Sequence, residues 1–268
     1  RGHVLVWHSQ TSSAFFAKDF APTVGGEPTT QDSDKVTLDA ECLVDEATLL
    51  ARLKTYIYGA IEYTYANGYA DVIYAWDVVN EAADENRPDG LRDSYYSKII
   101  GPEFLYYSFL YAREAVDMYS KQYAADYGLD PSGDLSDIQP ALFYNDYNEW
   151  FGNKSDAIIN FLTKEKFNEG HTINSAVINP EGDGTICGDG LLDGIGMQGH
   201  ISDNQNINDY MTALEKYDAA VGEVHITELD VGTTGKDANA DYYQAKFYYD
   251  FFDKLVEEKE KGVNLTSV

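Results

Sequence analysis

Five times along this chain of 268 residues, a short apolar run is followed by a longer stretch with helical spacing, and a sixth apolar run begins near its end. The runs are "HVLVW" (His3–Trp7), "DVIYAWDVVN" (Asp71–Asn80), "PALFYN" (Pro140–Asn145), "LLDGIGMQ" (Leu191–Gln198) and "EVHITELD" (Glu223–Asp230). "VNLTSV" (Val263–Val268) reads as the first half of the sixth. Between them the spacing predicts helices over Leu43–Asn67, closed by Gly68, and from about Pro102 to Tyr127. Further helices are predicted over Lys154–Glu169, closed by Gly170, over Asn206–Ala220, and over Asn239–Lys261 before Gly262. Alternating strands and helices of this kind argue a parallel sheet covered by helices, either closed or open.

In such sheets, ligands bind at the C-terminal ends of the strands. Here every strand end is polar: Trp7–His8–Ser9–Gln10, Asn80–Glu81, Asn145–Asp146–Tyr147–Asn148, then Gln198 with His200, and Glu228 with Asp230. Strand side chains alternate faces, so Asp77, Val79 and Glu81 are expected to share a face of their strand, as are Gln198 and His200, and Ile226, Glu228 and Asp230. Glu81 and Glu228 stand three strands apart and are expected to face one mouth. Taken singly, each glutamate reads more readily as a strand-end carboxylate with structural partners. The joint pattern at five strand ends favours a site.

Composition narrows what that site handles. The net charge is −27, with 46 acidic against 19 basic residues, and such a field repels nucleic acid and anionic membrane. A neutral polymer or small polar ligand is compatible with it, and 22 Tyr and 12 Phe supply both core and sugar-stacking surface. No apolar run is long enough to span a membrane. Cys42 and Cys187 lie in no metal-ligand spacing, and the Gly/Asp-rich stretch Gly182–Gly190 lacks the spacing of a calcium loop, so no metal or other cofactor is expected. Two facing carboxylates with amides around them suit glycoside hydrolysis, in which one protonates the leaving oxygen and the other attacks the anomeric carbon.

The stretches "GHVLVWHSQT", "YAWDVVNEA", "ALFYNDYN", "DGIGMQGH" and "VHITELDV" together resemble glycoside hydrolase family 10, the endo-β-1,4-xylanases, in order and in spacing. The resemblance implies an α/β fold, the (β/α)8 TIM barrel, and a retaining double-displacement mechanism on the β-1,4-xylan backbone. It implies Glu81 as acid/base and Glu228 as nucleophile. Asn80, His8, Gln198, Asn145 and Tyr147 match substrate-binding residues. His200 and Asp230 match partners of the nucleophile, and Asp77 matches a buried carboxylate supporting His8. His171 and His225 lie outside these motifs and read as structural.

Against the family pattern, residues 1–268 read as one partial catalytic barrel, supplying its third to seventh strands and the start of the eighth. The missing parts are expected in the parent protein, with accessory carbohydrate-binding modules possible there. After "WHSQT" the chain has "SSAFF", with Ala14 where the family often has an aromatic residue over the sugar; Phe15 is the nearest substitute, and the acidic loop Val24–Ala40 adjoins it. A secreted enzyme acting on xylan or xylo-oligosaccharide is the expectation. Two other readings stay open: a retaining β-1,4-glucanase of a related barrel family, and a catalytically inactive sugar-binding relative.

Overall fold

The computed structural model describes residues 1–167, 182–235 and 238–268. Six parallel strands form the central sheet: β1 (Gly2–Trp7), β4 (Ala75–Asn80), β5 (Ala141–Asp146), β6 (Gly194–Met197), β8 (Val224–Ile226) and β10 (Leu265–Ser267), hydrogen-bonded in that order. The remaining strands are short. β2 (Thr23–Val24) and β3 (Glu27–Pro28) make a hairpin in the loop after β1, while β7 (His200–Ser202) and β9 (Asp230–Gly232) pair in parallel beyond the ends of β6 and β8.

Helices cover one face of the sheet: α1 (Glu46–Ala66), the short α2 (Tyr95–Ile99), α3 (Glu103–Tyr123), α4 (Gly152–Thr163), α5 (Ile207–Val221) and α6 (Ala240–Lys261). The cause is visible in α1. Asp45 caps its start by accepting the Thr48 N–H at 2.8 Å, and Leu49, Leu53, Ile57, Ile61 and Tyr65 recur every four residues along the buried stripe. Those side chains pack with Val78, Leu142, Tyr144, Ile195, Val224 and Ile226 from the strands. The other face of the sheet is polar. There Asp77 takes the Arg1 guanidinium, Arg1 lies 4.6 Å over the Phe143 ring, and His225 stacks on Phe143 at 4.2 Å.

Three expectations change. "EVHITELD" is two strands, because the chain leaves the central sheet after Ile226 and Asp230 begins β9. The helix expected over Lys154–Glu169 begins earlier, at Gly152, and ends at Thr163; Gly170, His171 and the end of that stretch lie outside the described residues. The third helix stops at Tyr123 and continues as a 3-10 turn over Ala124–Tyr127. Cys42 and Cys187 are both free thiols.

Candidate active site

Backbone pairing continues past the strand ends and brings the polar residues together. The Glu81 N–H donates to the Asn145 carbonyl at 2.9 Å, and the Glu228 N–H to the Gln198 carbonyl at 2.9 Å. Glu81 sits at φ 57°, in the left-handed region that costs a non-glycine residue about 1–3 kcal/mol. That turn breaks the alternation expected along β4. Asn80 and Glu81 therefore reach the same neighbour, Gln198, whose Nε2 donates to Asn80 Oδ1 and to Glu81 Oε1, each at 3.1 Å.

The two glutamates are joined through one amide. Asn80 Oδ1 accepts from Gln198 and also from Asn145 Nδ2 at 3.0 Å, and Asn145 Nδ2 donates in turn to Glu228 Oε1 at 3.0 Å. Trp7 Nε1 donates to the other Glu81 oxygen at 3.0 Å. The His200 ring stands between two carboxylates, with Nε2 3.2 Å from Glu228 Oε2 and Nδ1 2.9 Å from Asp230 Oδ2. The β7–β9 register, which sets His200 opposite Asp230, produces that placement.

Asn145 was expected to line the cleft. It is fully buried, with its amide hydrogens on Asn80 and Glu228 and its carbonyl accepting from Thr227 Oγ1 at 2.7 Å. It is a spacer between the two glutamates. Gly196, in the facing strand, makes room for it: a Cβ there would stand 2.2 Å from Asn145 Oδ1.

Asp77 does not support His8. Register sets Asp77 opposite His3, whose Nδ1 lies 3.0 Å from Asp77 Oδ2, and this contact raises the His3 pKa above its ordinary value. His8 is five residues further on, beyond the end of β1. Burial, and then the Arg92 charge, push its pKa down to about 4, so the ring is neutral at ordinary pH.

Sequence reasoning missed several neighbours. His3 and Trp7 lie within the motif "GHVLVWHSQT", whose pattern gives neither of them a role. They border a cavity of about 450 Å³ along β1, which Gln10, Phe15, Tyr56 and Tyr96 also line. Arg92 and Lys154 had no signal in their local pattern. Lys154 is completely buried, 2.8 Å from Asp146 Oδ1 and 3.7 Å from Glu85, with its amine 3.8 Å over the Tyr147 ring. The Tyr147 hydroxyl accepts from Arg92 Nη2 at 2.9 Å. Trp150 is packed into the core against Tyr210. In the Gly182–Gly190 stretch, Asp183 binds Thr185, and Asp189 binds the Gly184 N–H and Tyr106. Among the described residues, no three His, Cys, Asp or Glu side chains are grouped to hold a metal ion.

Comparison with known proteins gives this geometry a lineage. The model of glycosyl hydrolase family 10 matches residues 1–268. Endo-1,4-beta-xylanase B of Butyrivibrio fibrisolvens is 32% identical over 270 residues, covering 100% of this chain and 33% of its own length. Endo-1,4-beta-xylanase A of Thermotoga maritima is 35% identical over 271 residues, covering 100% of this chain and 18% of its own length. Among solved structures, a mutant of the intracellular xylanase of Thermoanaerobacterium saccharolyticum in complex with xylotetraose superposes with a TM-score of 0.69 at 28% identity. It covers 100% of this chain and 64% of its own. The chain thus spans a third or less of these curated relatives and under two thirds of that solved chain. The six parallel strands are part of a (β/α)8 barrel, and the chain belongs to glycosyl hydrolase family 10.

Proposed function

We propose that this chain carries the catalytic site of a retaining endo-1,4-β-xylanase. The observation that carries the reading is the link of Glu81 and Glu228 to a single amide, Asn80, through Gln198 on one side and Asn145 on the other. The link holds two carboxyl groups in one mouth.

In this reading Glu228 attacks the anomeric carbon while Glu81 gives its proton to the departing glycosidic oxygen, leaving a glycosyl ester on Glu228. Water, deprotonated by Glu81, then attacks the same carbon and releases the ester, which restores both groups and the original configuration. Asn145 and His200 each hold one Glu228 oxygen, so the attacking atom's direction is set before substrate arrives. Trp7 and Gln198 do the same for Glu81.

The substrate assignment leans on relatives. Two of the similar proteins are named endo-1,4-beta-xylanases, and similar solved structures hold xylotetraose or xylohexaose. One of the latter combines a family 10 module with a carbohydrate-binding module, and a comparable accessory module belongs to our proposal for the parent protein. We also place the enzyme outside the cell, where polymeric xylan lies, although one similar xylanase is described as intracellular.

The test is hydrolysis of xylan and of carboxymethylcellulose by the protein and by its Glu228→Ala and Glu81→Ala variants. Release of xylo-oligosaccharides with retained configuration, abolished by Glu228→Ala, is expected. Preference for cellulose would move the reading to a β-1,4-glucanase. Binding of xylan without hydrolysis would make the chain an inactive sugar-binding relative.

A further inference from the structure

The turn that carries Glu81 has an unusual fastening. After the left-handed Glu81, three successive carbonyls point to one residue eleven positions later. Arg92 Nε donates to the Glu81 carbonyl at 2.7 Å, the Arg92 backbone N–H to the Ala82 carbonyl at 2.8 Å, and Arg92 Nη2 to the Ala83 carbonyl at 3.1 Å. The same Nη2 donates to the Tyr147 hydroxyl at 2.9 Å. The amides of the turn are held from the other side, where the N–H groups of Ala82 and Ala83 both donate to the Tyr144 hydroxyl oxygen at 3.0 Å.

Among the described residues, no carboxylate lies within ion-pair distance of Arg92. A partly buried guanidinium that serves stability alone would be expected to pair with an acid, because removing its hydration is costly. This one directs its planar fork at backbone oxygens, and those oxygens belong to the residue that must deliver a proton.

We infer that Arg92 is the positioning residue of the acid/base carboxyl, fixing the turn from which Glu81 projects and tying it to Tyr147 on the opposite side. The inference rests on the functional reading above. It makes a specific demand: loss of Arg92 must harm the proton-transfer role of Glu81 and spare the attack by Glu228, which is held by Asn145 and His200, neither of which is among the hydrogen-bond partners of Arg92.

The experiment compares two substrates that share the cleaved sugars and differ in leaving group. Xylohexaose needs a proton on its leaving oxygen; 2,4-dinitrophenyl β-xylobioside does not. For Arg92→Met, kcat/KM on xylohexaose is expected to fall about 10²-fold, the order of loss for a displaced catalytic group, and to fall only about 3-fold or less on the aryl substrate. Azide, which replaces the base-activated water, is expected to accelerate aryl-substrate turnover by the variant and leave the unchanged protein unaffected. Arg92→Lys, which keeps the charge but loses the fork, is expected to show the same split at smaller size and carries the test if the Met variant does not fold. An equal loss on both substrates, or no loss on either, overturns the inference. Failure of the functional reading looks different: the unchanged protein cleaves neither substrate, or Glu81→Ala spares both, and the inference falls with it.

Discussion

Lys154→Met is the sharpest test of how the floor of the site is built. The Lys154 amine is completely buried and its nearest partner, Asp146, is 1% exposed, so solvent screens their 2.8 Å contact very little. The substitution keeps most of the aliphatic volume and leaves Asp146 as a buried charge without its cation. Breaking a buried pair on one side costs about 3–5 kcal/mol. In a chain of this size each kcal/mol moves the midpoint by about 2–4 °C, so Tm should fall by about 10 °C. The pH dependence has a definite sign. Burial already raises the Asp146 pKa above its ordinary value, and Lys154 is the main influence that lowers it, so the variant raises it further. A carboxyl raised in the folded state loses stability as pH climbs from its unfolded value through its folded one. The deficit should therefore be small near pH 4 and largest at pH 8. Thermal unfolding followed by circular dichroism at both pH values measures it. A fall below about 2 °C at pH 8, or an equal fall at both, would refute the assignment of Lys154 as the counter-charge. Adding Asp146→Asn to the variant should recover part of the loss.

His200→Ala should lower kcat on xylan about 10²-fold with little change in KM, since it frees one Glu228 oxygen without touching Asn145; a KM-dominated effect in steady-state kinetics would argue against that role. Gly196→Ala should push Asn145 off Asn80 and Glu228 and cost at least about 10-fold in kcat, with altered amide contacts visible in a crystal structure of the variant. His8 is held neutral with its pKa lowered to about 4, so the unfolded chain binds its proton more readily and stability falls as pH drops from about 6.5 toward 4. His8→Phe should flatten that part of the Tm–pH curve, and an unchanged slope would place the acid sensitivity elsewhere.

The order of strands and helices was legible because each strand is an apolar run bounded by polar residues and each helix repeats its buried positions every three or four residues. The polar strand ends were legible for the same reason. The exact directions of the side chains were not. Strict alternation assigned Asp77 and Glu81 to one face, but Glu81 adopts a left-handed conformation that no glycine or asparagine announces. Asp77 was paired with His8 by family resemblance, whereas parallel register sets it against His3. "EVHITELD" reads as one apolar-alternating strand, and only the pairing of Asp230 with His200 shows where the chain leaves the sheet. Lys154 looks in sequence like any exposed helix cation. Its burial depends on Asp146 and Tyr147 at the end of β5 and on Glu85, which lies far away in sequence, and helical spacing alone does not show that the fold turns it inward onto them.

The amide at the centre of the site also sets a polarity for whatever binds there. Asn80 uses its carbonyl oxygen on two protein donors, and among the described residues its amide hydrogens have no partner. Gln198 is the reverse, with its amide nitrogen engaged by Asn80 and Glu81 and, among the described residues, its carbonyl oxygen without a partner. Toward a bound sugar, Asn80 can only donate and Gln198 can only accept. A hydroxyl facing Asn80 is read by its lone pairs, and one facing Gln198 by its hydrogen. Fluorine in place of the first hydroxyl keeps a weak acceptor for Asn80, whereas fluorine in place of the second removes the only hydrogen Gln198 can receive. The site therefore distinguishes two hydroxyls that a size-based pocket would treat alike.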